Sequence, residues 1–349
     1  MGKVLVFTQP KTVGFESYED LPLQPHEVRL RTLYSGISAG TELTAYRGSN
    51  PYLHKQWDST RKLFIPAEQP ALTYPVSGWG YEEVGEVIEL GSEVQAVSIG
   101  DVIFGTWGHR SHHIVEESYA RDRLQAKSLD AIFGIFSQIG AIAINGVHDA
   151  RIRIGETVAV FGMGTLGQIV GQLARKSGAK VVGIDRFEKR LEMALQSGAA
   201  DIVLNASKDE VAERIRAVTD NRGADVAIEV TGSTIALNQA IRSVAYSSKV
   251  IALGFFQGEA TGLFMGEEFH HNRVNIVGSQ ISGTDPELTY RWNRLRLIQT
   301  FMRLQADGLI DLKPIISHVI PFDNAGEAFR ILDQEPENAL QVVLDFTKT

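Results

Sequence analysis

The segment that most narrows what this chain can fold into is Thr157-Val-Ala-Val-Phe161, followed at once by Gly162-Met163-Gly164-Thr165-Leu166-Gly167 and a helix-periodic stretch to Lys176. A G-x-G-x-x-G run alone says little. Between a strand pattern and a helix pattern it reads as a dinucleotide-binding turn. Gly162 permits the tight turn, Gly164 lets the backbone approach a pyrophosphate, and Gly167 lets the helix lie close against its strand. The helix N-terminus adds free N–H groups and about half a positive charge. The next strand pattern ends Val182-Gly183-Ile184-Asp185, which puts Asp185 23 residues beyond Gly162 (185 − 162). That is close to the ~20 at which an acidic side chain meets the adenosine ribose hydroxyls. A carboxylate there repels a 2′-phosphate, so NAD is favoured over NADP. Arg186 beside it argues the other way, and Arg190, one turn into the next helix, is within reach of the ribose. Thr231-Gly232 and Gly254-Phe255-Phe256 end later strands and are expected to flank the nicotinamide half.

The same alternation continues around the fingerprint. Short apolar runs at 157–161, 181–184, 202–204, 226–230, 250–253 and 274–277 are separated by helical stretches, the grammar of βαβ units and a parallel sheet. Residues 1 to about 125 differ. Runs at 28–34, 84–90 and 102–104 are broken by Gly, Pro, Asn and Asp, which predicts a compact barrel-like β domain. Segment 47–79 has no clean periodicity and carries Pro51, Pro66, Pro70 and Pro75, the pattern of a long functional loop or lid. A long helix is expected over 287–304 and a last strand over 341–346. The fold class is α/β.

At 349 residues the chain has room for about two domains. Its 34 Lys+Arg against 42 Asp+Glu give a net charge of −8, which argues against a nucleic-acid or anionic-membrane partner. Without cysteine there is no disulfide and no thiolate zinc site. The first residues run straight into a β-like pattern with no signal-peptide anatomy, and Val6 stands where myristoylation needs Ser or Thr. The most apolar stretch, 130–147, is interrupted by Ser137, Gln138 and Asn145 and is expected to fall short of a ~20-residue membrane span. A soluble cytoplasmic protein is the expectation.

The run Gly80-Tyr81-Glu82-Glu83-Val84-Gly85-Glu86-Val87, Leu90-Gly91, Ser98-Ile99-Gly100-Asp101-Val102, the fingerprint, and Gly198-Ala199-Ala200-Asp201 occur in this order along the chain. Over nearly its full length the chain resembles the medium-chain dehydrogenase/reductase family. The resemblance implies a GroES-like β-barrel catalytic domain (1–127 and 283–349) interrupted by a Rossmann doubly wound parallel sheet (128–282). It also implies an active site between them, hydride transfer to or from a nicotinamide, and a homodimer or homotetramer built through the sheet edge near 274–279. Many members hold a catalytic zinc. At the three ligand positions this chain has Ser38, within Ser35-Gly36-Ile37-Ser38-Ala39-Gly40-Thr41-Glu42, then Tyr81 and Gln138. Ser, Tyr and Gln do not make a zinc site. The four-cysteine lobe is missing too, since Phe104-Gly105 leads into Gly108-His109-Arg110-Ser111-His112-His113. The expectation is a zinc-independent member with no metal. The Ser35–Glu42 and Gly80–Glu82 motifs with Phe269-His270-His271-Asn272-Arg273 are similar to the branch of bacteriochlorophyllide hydroxyethyl dehydrogenases. Those oxidise a secondary alcohol to a ketone, and only the reaction type is carried over.

Without zinc, a carbonyl gaining hydride needs a proton donor or strong hydrogen bond at its oxygen. Tyr81 is the first candidate. Its phenol, with an ordinary pKa of ~10, needs a neighbouring cation or relay to act as a base; plain packing is the alternative. Glu82 either orients a neighbour or caps backbone amides. Ser38 and Thr41 either bond substrate or nicotinamide ribose or serve the local turn, and Gln138 completes the set. His112 and His113, adjacent on a strand, point to opposite faces and do not share a metal. Weaker substrate candidates are His109, His270, and His54 with Trp57 in a loop that interleaves aromatics and bases, a lining suited to a polyol or anion. Together these predict a zinc-independent NAD-dependent dehydrogenase acting on a small secondary alcohol, sugar- or polyol-like, and its ketone. Two alternatives stay open: an NAD(P)H-dependent quinone or enone reductase, and a non-catalytic dinucleotide-binding sensor.

Overall fold

The computed structural model describes residues 1–67 and 69–348, which form two compact units: Met1–Phe136 with His318–Thr349, and Ser137–Ser317.

In the second unit six parallel strands lie in the order Ile202–Asn205, Lys180–Asp185, Thr157–Phe161, Ala224–Glu229, Val244–Ala252, Asn275–Gly278. Thr157–Phe161 is buried at every position. That is the mark of a central parallel strand covered on both faces, and it explains an apolar run without alternation. The chain leaves this central strand first to one side and later to the other, so its carboxyl end is the switch point outside which ligands bind in such sheets. The apolar runs seen in the sequence fall on these strands, although Val244–Ala252 begins six residues before the run at 250–253. One sequence expectation fails here. The late helix spans Arg294–Ala306 rather than starting at 287, because Asn293 caps it, accepting the Arg296 N–H at 2.9 Å.

The division between units also differs from expectation. The expected boundaries at 127/128 and 282/283 fall instead at 136/137 and 317/318. The reason is packing. Leu297, Ile298, Phe301 and Met302 form the buried face of Arg294–Ala306, and Ser137–Ala150 receives it: a Cβ on Gly140 would lie 2.0 Å from the Phe301 ring. Residues 131–136 pack instead against the β strands of the first unit. A second correction concerns the apolar stretch. Ala131–Ala150 is long and apolar enough to cross a membrane, because Ser137, Gln138 and Asn145 are uncharged and lower its hydropathy little. Its most apolar window is 72% buried inside the protein, as in a core helix.

In the first unit the main sheet runs Ile316–Pro321, Gln341–Asp345, Glu27–Ile37, Glu83–Leu90, Val102–Gly105, with His112–Glu116 also paired to Glu27–Ile37. A smaller sheet joins Thr12–Tyr18, Gly2–Gln9 and Val76–Ser77. Segment 47–79 is not a bare loop. It holds a turn at Pro51–Leu53 and a hairpin, Lys55–Asp58 with Leu63–Pro66, whose turn is tied by Asp58 accepting the N–H groups of Thr60 and Arg61 at 3.0 and 2.9 Å. These strands are four residues long and mostly exposed, so no burial period marks them in the sequence.

Candidate active site and dinucleotide turn

The three glycines of the fingerprint do different jobs. Gly162 has φ +101°, and a Cβ there would meet Thr231 Cγ2 at 2.5 Å. A Cβ on Gly167 would lie 1.8 Å from the Gly162 carbonyl oxygen, so the helix can close on the turn only with glycine there. A Cβ on Gly164 would come no nearer than 3.5 Å to a neighbouring atom, Arg190 Nη1. This is an open stretch of backbone at a helix N-terminus, and it fits a dinucleotide's phosphates. Gly164, Thr165 and Leu166 are partly exposed. Met163 is fully buried, with its N–H given to Asp185 Oδ2 at 2.8 Å, so contrary to expectation it does not face a ligand. The other Asp185 oxygen accepts the Phe187 N–H at 3.0 Å. Arg186 and Arg190 bracket the Phe187 ring at 4.7 and 4.9 Å, and Arg190 Nη1 is 3.8 Å from Asp185.

At the end of the next strand stands Glu229, which no motif in the sequence singles out. It is buried, and its carboxylate accepts the Thr231 N–H at 2.7 Å, the Thr231 hydroxyl, and the Gly232 N–H at 3.1 Å. Burial pushes the carboxyl up to about 7, against the donors of Thr231, Gly232 and Ser233. Phe255 is exposed, and Phe256 packs on the core of the unit.

In the first unit the structure brings four of the candidate residues together. Ser38 stands at the N-cap of the helix Ala39–Arg47, and the Tyr81 hydroxyl is hydrogen-bonded to Ser38 Oγ and, at 3.3 Å, to Thr41 Oγ1. Glu82 is fully buried. Its Oε2 accepts from Gln341 at 3.1 Å, and its Oε1 has no hydrogen-bond partner among the described residues. Burial, with Glu42 and Glu83 nearby, raises the Glu82 carboxyl well above the usual range. Burial and then the Glu82 carboxyl push the Tyr81 phenol up as well. The cation that a tyrosinate base requires is not what acts on Tyr81; carboxyls are. Both effects favour the protonated phenol over the phenolate.

Behind this pair lies a buried chain that no sequence motif announced. Glu42 Oε1 accepts the Ser38 N–H at 2.8 Å, and Glu42 Oε2 takes His109 Nε2 at 2.5 Å. His109 Nδ1 meets Ser35 Oγ at 2.5 Å, and Ser35 donates to Glu83 at 3.2 Å, whose other oxygen holds the Trp107 N–H at 2.7 Å. Ser35, His109 and Glu42 have the connectivity of a hydrolytic triad, but all three are fully buried and the serine is closed off by Glu83, so there is no nucleophile here. The expectation that His109 touches substrate is corrected for the same reason: both of its ring nitrogens are engaged inside the unit. Two proton arrangements satisfy the chain, an imidazolium facing Glu83 carboxylate or a neutral imidazole facing Glu83 acid. The Glu83 carboxyl is pushed up to about 7 by burial, and His109 is raised by Glu42 against the opposing effect of burial. The signal available in sequence was Glu42 four residues after Ser38, one helical turn on.

The remaining candidates are scattered. Gln138 lies in the second unit near the start of Ser137–Ala150, its Oε1 accepting from Arg294 at 2.9 Å. His54, Trp57 and His270 are exposed. His113 stacks on Trp107 at 5.7 Å while His112 lies 3.6 Å from Asp20. Neither the hydroxyl–phenol pair of Ser38 and Tyr81 nor an amide oxygen held by arginine offers the anionic or imidazole donors that zinc takes, so these residues do not fit the ion. Among the described residues no three His, Cys, Asp or Glu converge as a metal-holding group.

A parallel sheet with an open glycine turn at its switch point, in a chain whose β unit carries a hydroxyl cluster, defines an α/β oxidoreductase of the dinucleotide-binding class. Residues 165–298 match the zinc-binding dehydrogenase family. The chain is 31% identical over 352 residues to D-guloside 3-dehydrogenase of Escherichia coli K12, covering 99% of this chain and 100% of the relative. Two solved structures share the fold over 99% of both chains: a protein from Sinorhizobium meliloti 1021 bound to NADP (20% identity, TM-score 0.74) and an alcohol dehydrogenase from E. coli CFT073 in complex with NADH (18%, 0.75). The chain belongs to the zinc-binding dehydrogenase family of the medium-chain dehydrogenase/reductase superfamily. It is an oxidoreductase interconverting an alcohol and its ketone, with a GroES-like unit.

Proposed function

We propose that this enzyme is a cytoplasmic, NAD(H)-dependent dehydrogenase that interconverts a ring or chain secondary hydroxyl of a sugar-like molecule and its ketone, and that it does so without zinc. The observation that carries the reading is the Tyr81 hydroxyl, clasped by Ser38 and Thr41 where relatives of the family keep metal ligands. A bound nicotinamide dinucleotide supplies or accepts the hydride. Tyr81 donates a hydrogen bond to the carbonyl oxygen and, in reduction, passes its proton there as the carbon is reduced. Oxidation requires the phenol to give up its proton first, which its raised pKa opposes at neutral pH. The D-guloside relative supports a sugar substrate, and Asp185, anchored at two backbone amides, supports NAD over NADP because an acidic side chain at this point of the fingerprint disfavours a 2′-phosphate.

The test is NADH formation, followed by absorbance, across glycosides, free sugars, polyols and hydroxy acids, with NADP⁺ in parallel and a chelator in duplicate wells. Turnover with NAD⁺ that survives chelation is expected. Loss on chelation with recovery on adding zinc would sink the metal-free reading, and faster turnover with NADP⁺ would sink the cofactor preference. We further place a twofold contact at the edge strand Asn275–Gly278, where a second copy would extend the sheet. Light scattering should return a multiple of 38.4 kDa, and a single-chain mass would remove the contact.

A further inference from the structure

We propose that Glu229 is a positioning residue for the nicotinamide half of the cofactor, holding residues 231–233 and Gly254 as one backbone surface, while the adenosine half depends on Gly164 and Asp185. This rests on the dinucleotide reading above. Glu229 is the last residue of its strand, paired in register with Phe161 on one side and Ala252 on the other. It therefore stands at the carboxyl edge of the sheet, beside the fingerprint. Its side chain is fully buried and folds back on its own loop, accepting from the Thr231 N–H, the Thr231 hydroxyl and the Gly232 N–H. Its main-chain carbonyl accepts from the Leu253 and Gly254 N–H groups, each at 2.9 Å. One residue thus holds the first loop with its carboxylate and the second with its carbonyl.

The two loops are locked to each other and to the fingerprint. Gly232 has φ +71°, and a Cβ on Gly254 would lie 2.2 Å from the Gly232 nitrogen and 2.8 Å from Glu229 Oε2, so backbone packs on backbone around the carboxylate. Thr231 Cγ2 fills the space that a Gly162 side chain would need. A displaced Glu229 therefore moves Thr231, Gly232 and Gly254 together. The demand is for a carboxylate in particular. Three donors converge on two oxygens, and an amide offers one accepting oxygen while aiming an N–H at a donor. Asp185 and Gly164 lie on the other flank, past the fingerprint strand, and make none of these bonds.

The experiment measures NADH binding by nicotinamide fluorescence and ADP-ribose binding by calorimetry on the full chain, for the wild type, Glu229→Gln and Thr231→Val. For Glu229→Gln the expected result is NADH affinity lower by about tenfold with ADP-ribose affinity within about twofold of wild type. Thr231→Val, which removes one donor and keeps the carboxylate, should weaken NADH about threefold on the same scale, and it tests the proposal even if Glu229→Gln does not fold. Unchanged NADH affinity in either folded variant overturns the proposal. So does equal weakening of NADH and ADP-ribose, which marks a merely structural role. A wild type that binds neither ligand overturns the dinucleotide reading itself, a separate outcome.

Discussion

Replacing Tyr81 by phenylalanine is expected to lower kcat by about 10²- to 10³-fold, the share a positioned proton donor contributes, while KM moves by only a few-fold. Phenylalanine keeps the ring's packing and removes the one atom that Ser38 and Thr41 clasp. The loss should fall on the chemical step, with NADH binding unaffected, because the cofactor's turn is built wholly within the other unit. The wild-type pH profile provides an independent check. With the phenol pushed above its ordinary value by burial and by Glu82, the protonated donor survives into alkaline solution. Ketone reduction should therefore stay level through pH 9, while alcohol oxidation keeps climbing over the same range as the phenolate becomes accessible. Turnover by Tyr81→Phe within a factor of about three of wild type would return Tyr81 to the packing role and leave the electrophile to be found elsewhere.

The second large effect is on stability and comes from the buried chain Glu42–His109–Ser35–Glu83. Glu83 is raised in the folded protein from 4.5 to about 7. A group whose folded pKa exceeds its unfolded value contributes stability in full below the unfolded pKa and loses it as pH rises through the folded one. His109, also raised, acts with the same sign, its contribution present below 6.5 and lost above its folded value. Removing the shared proton leaves buried carboxyls facing one another across a neutral imidazole. For Glu83 alone the displacement corresponds to ~3 kcal/mol, to order of magnitude. Urea unfolding should show the wild type losing about that much between pH 5 and 8.5. Glu83→Gln should flatten this loss, since an amide can donate to Ser35, and Ser35 to a neutral His109, without an extra proton. A wild-type stability level across that range, or a Glu83→Gln slope equal to the wild type's, would show that the chain titrates elsewhere.

Much of the second unit is legible in the residues alone. The strand at 157–161 is apolar at every position because both of its faces are covered, and such a run is visible without knowing what covers it. The fingerprint can be assigned glycine by glycine because each role is a local steric matter within a few residues. The residues at 38, 81 and 138 are equally open to inspection, since residue chemistry alone decides what can ligate zinc. The late helix begins seven residues beyond the expected start (294 − 287) because apolar periodicity carries past a cap. The unit boundaries are not legible because nothing local says which surface a helix face will find.

Residue types and short segments were enough to set the class of sheet and the glycine turn at the end of its central strand, and to show that positions 38, 81 and 138 carry Ser, Tyr and Gln. Each of these is a local property of the chain. The folded arrangement alone decided that Tyr81 is surrounded by hydroxyls and carboxyls rather than by a cation, that His109 is engaged inside its unit, and that Glu229 joins two loops. Burial and charge at these residues come from groups distant in sequence: Gln341 on Glu82, Glu42 on His109, and Leu253 and Gly254 on Glu229. A pKa or a hydrogen-bond partner depends on what folding brings within a few ångströms, and no local pattern in the chain records that.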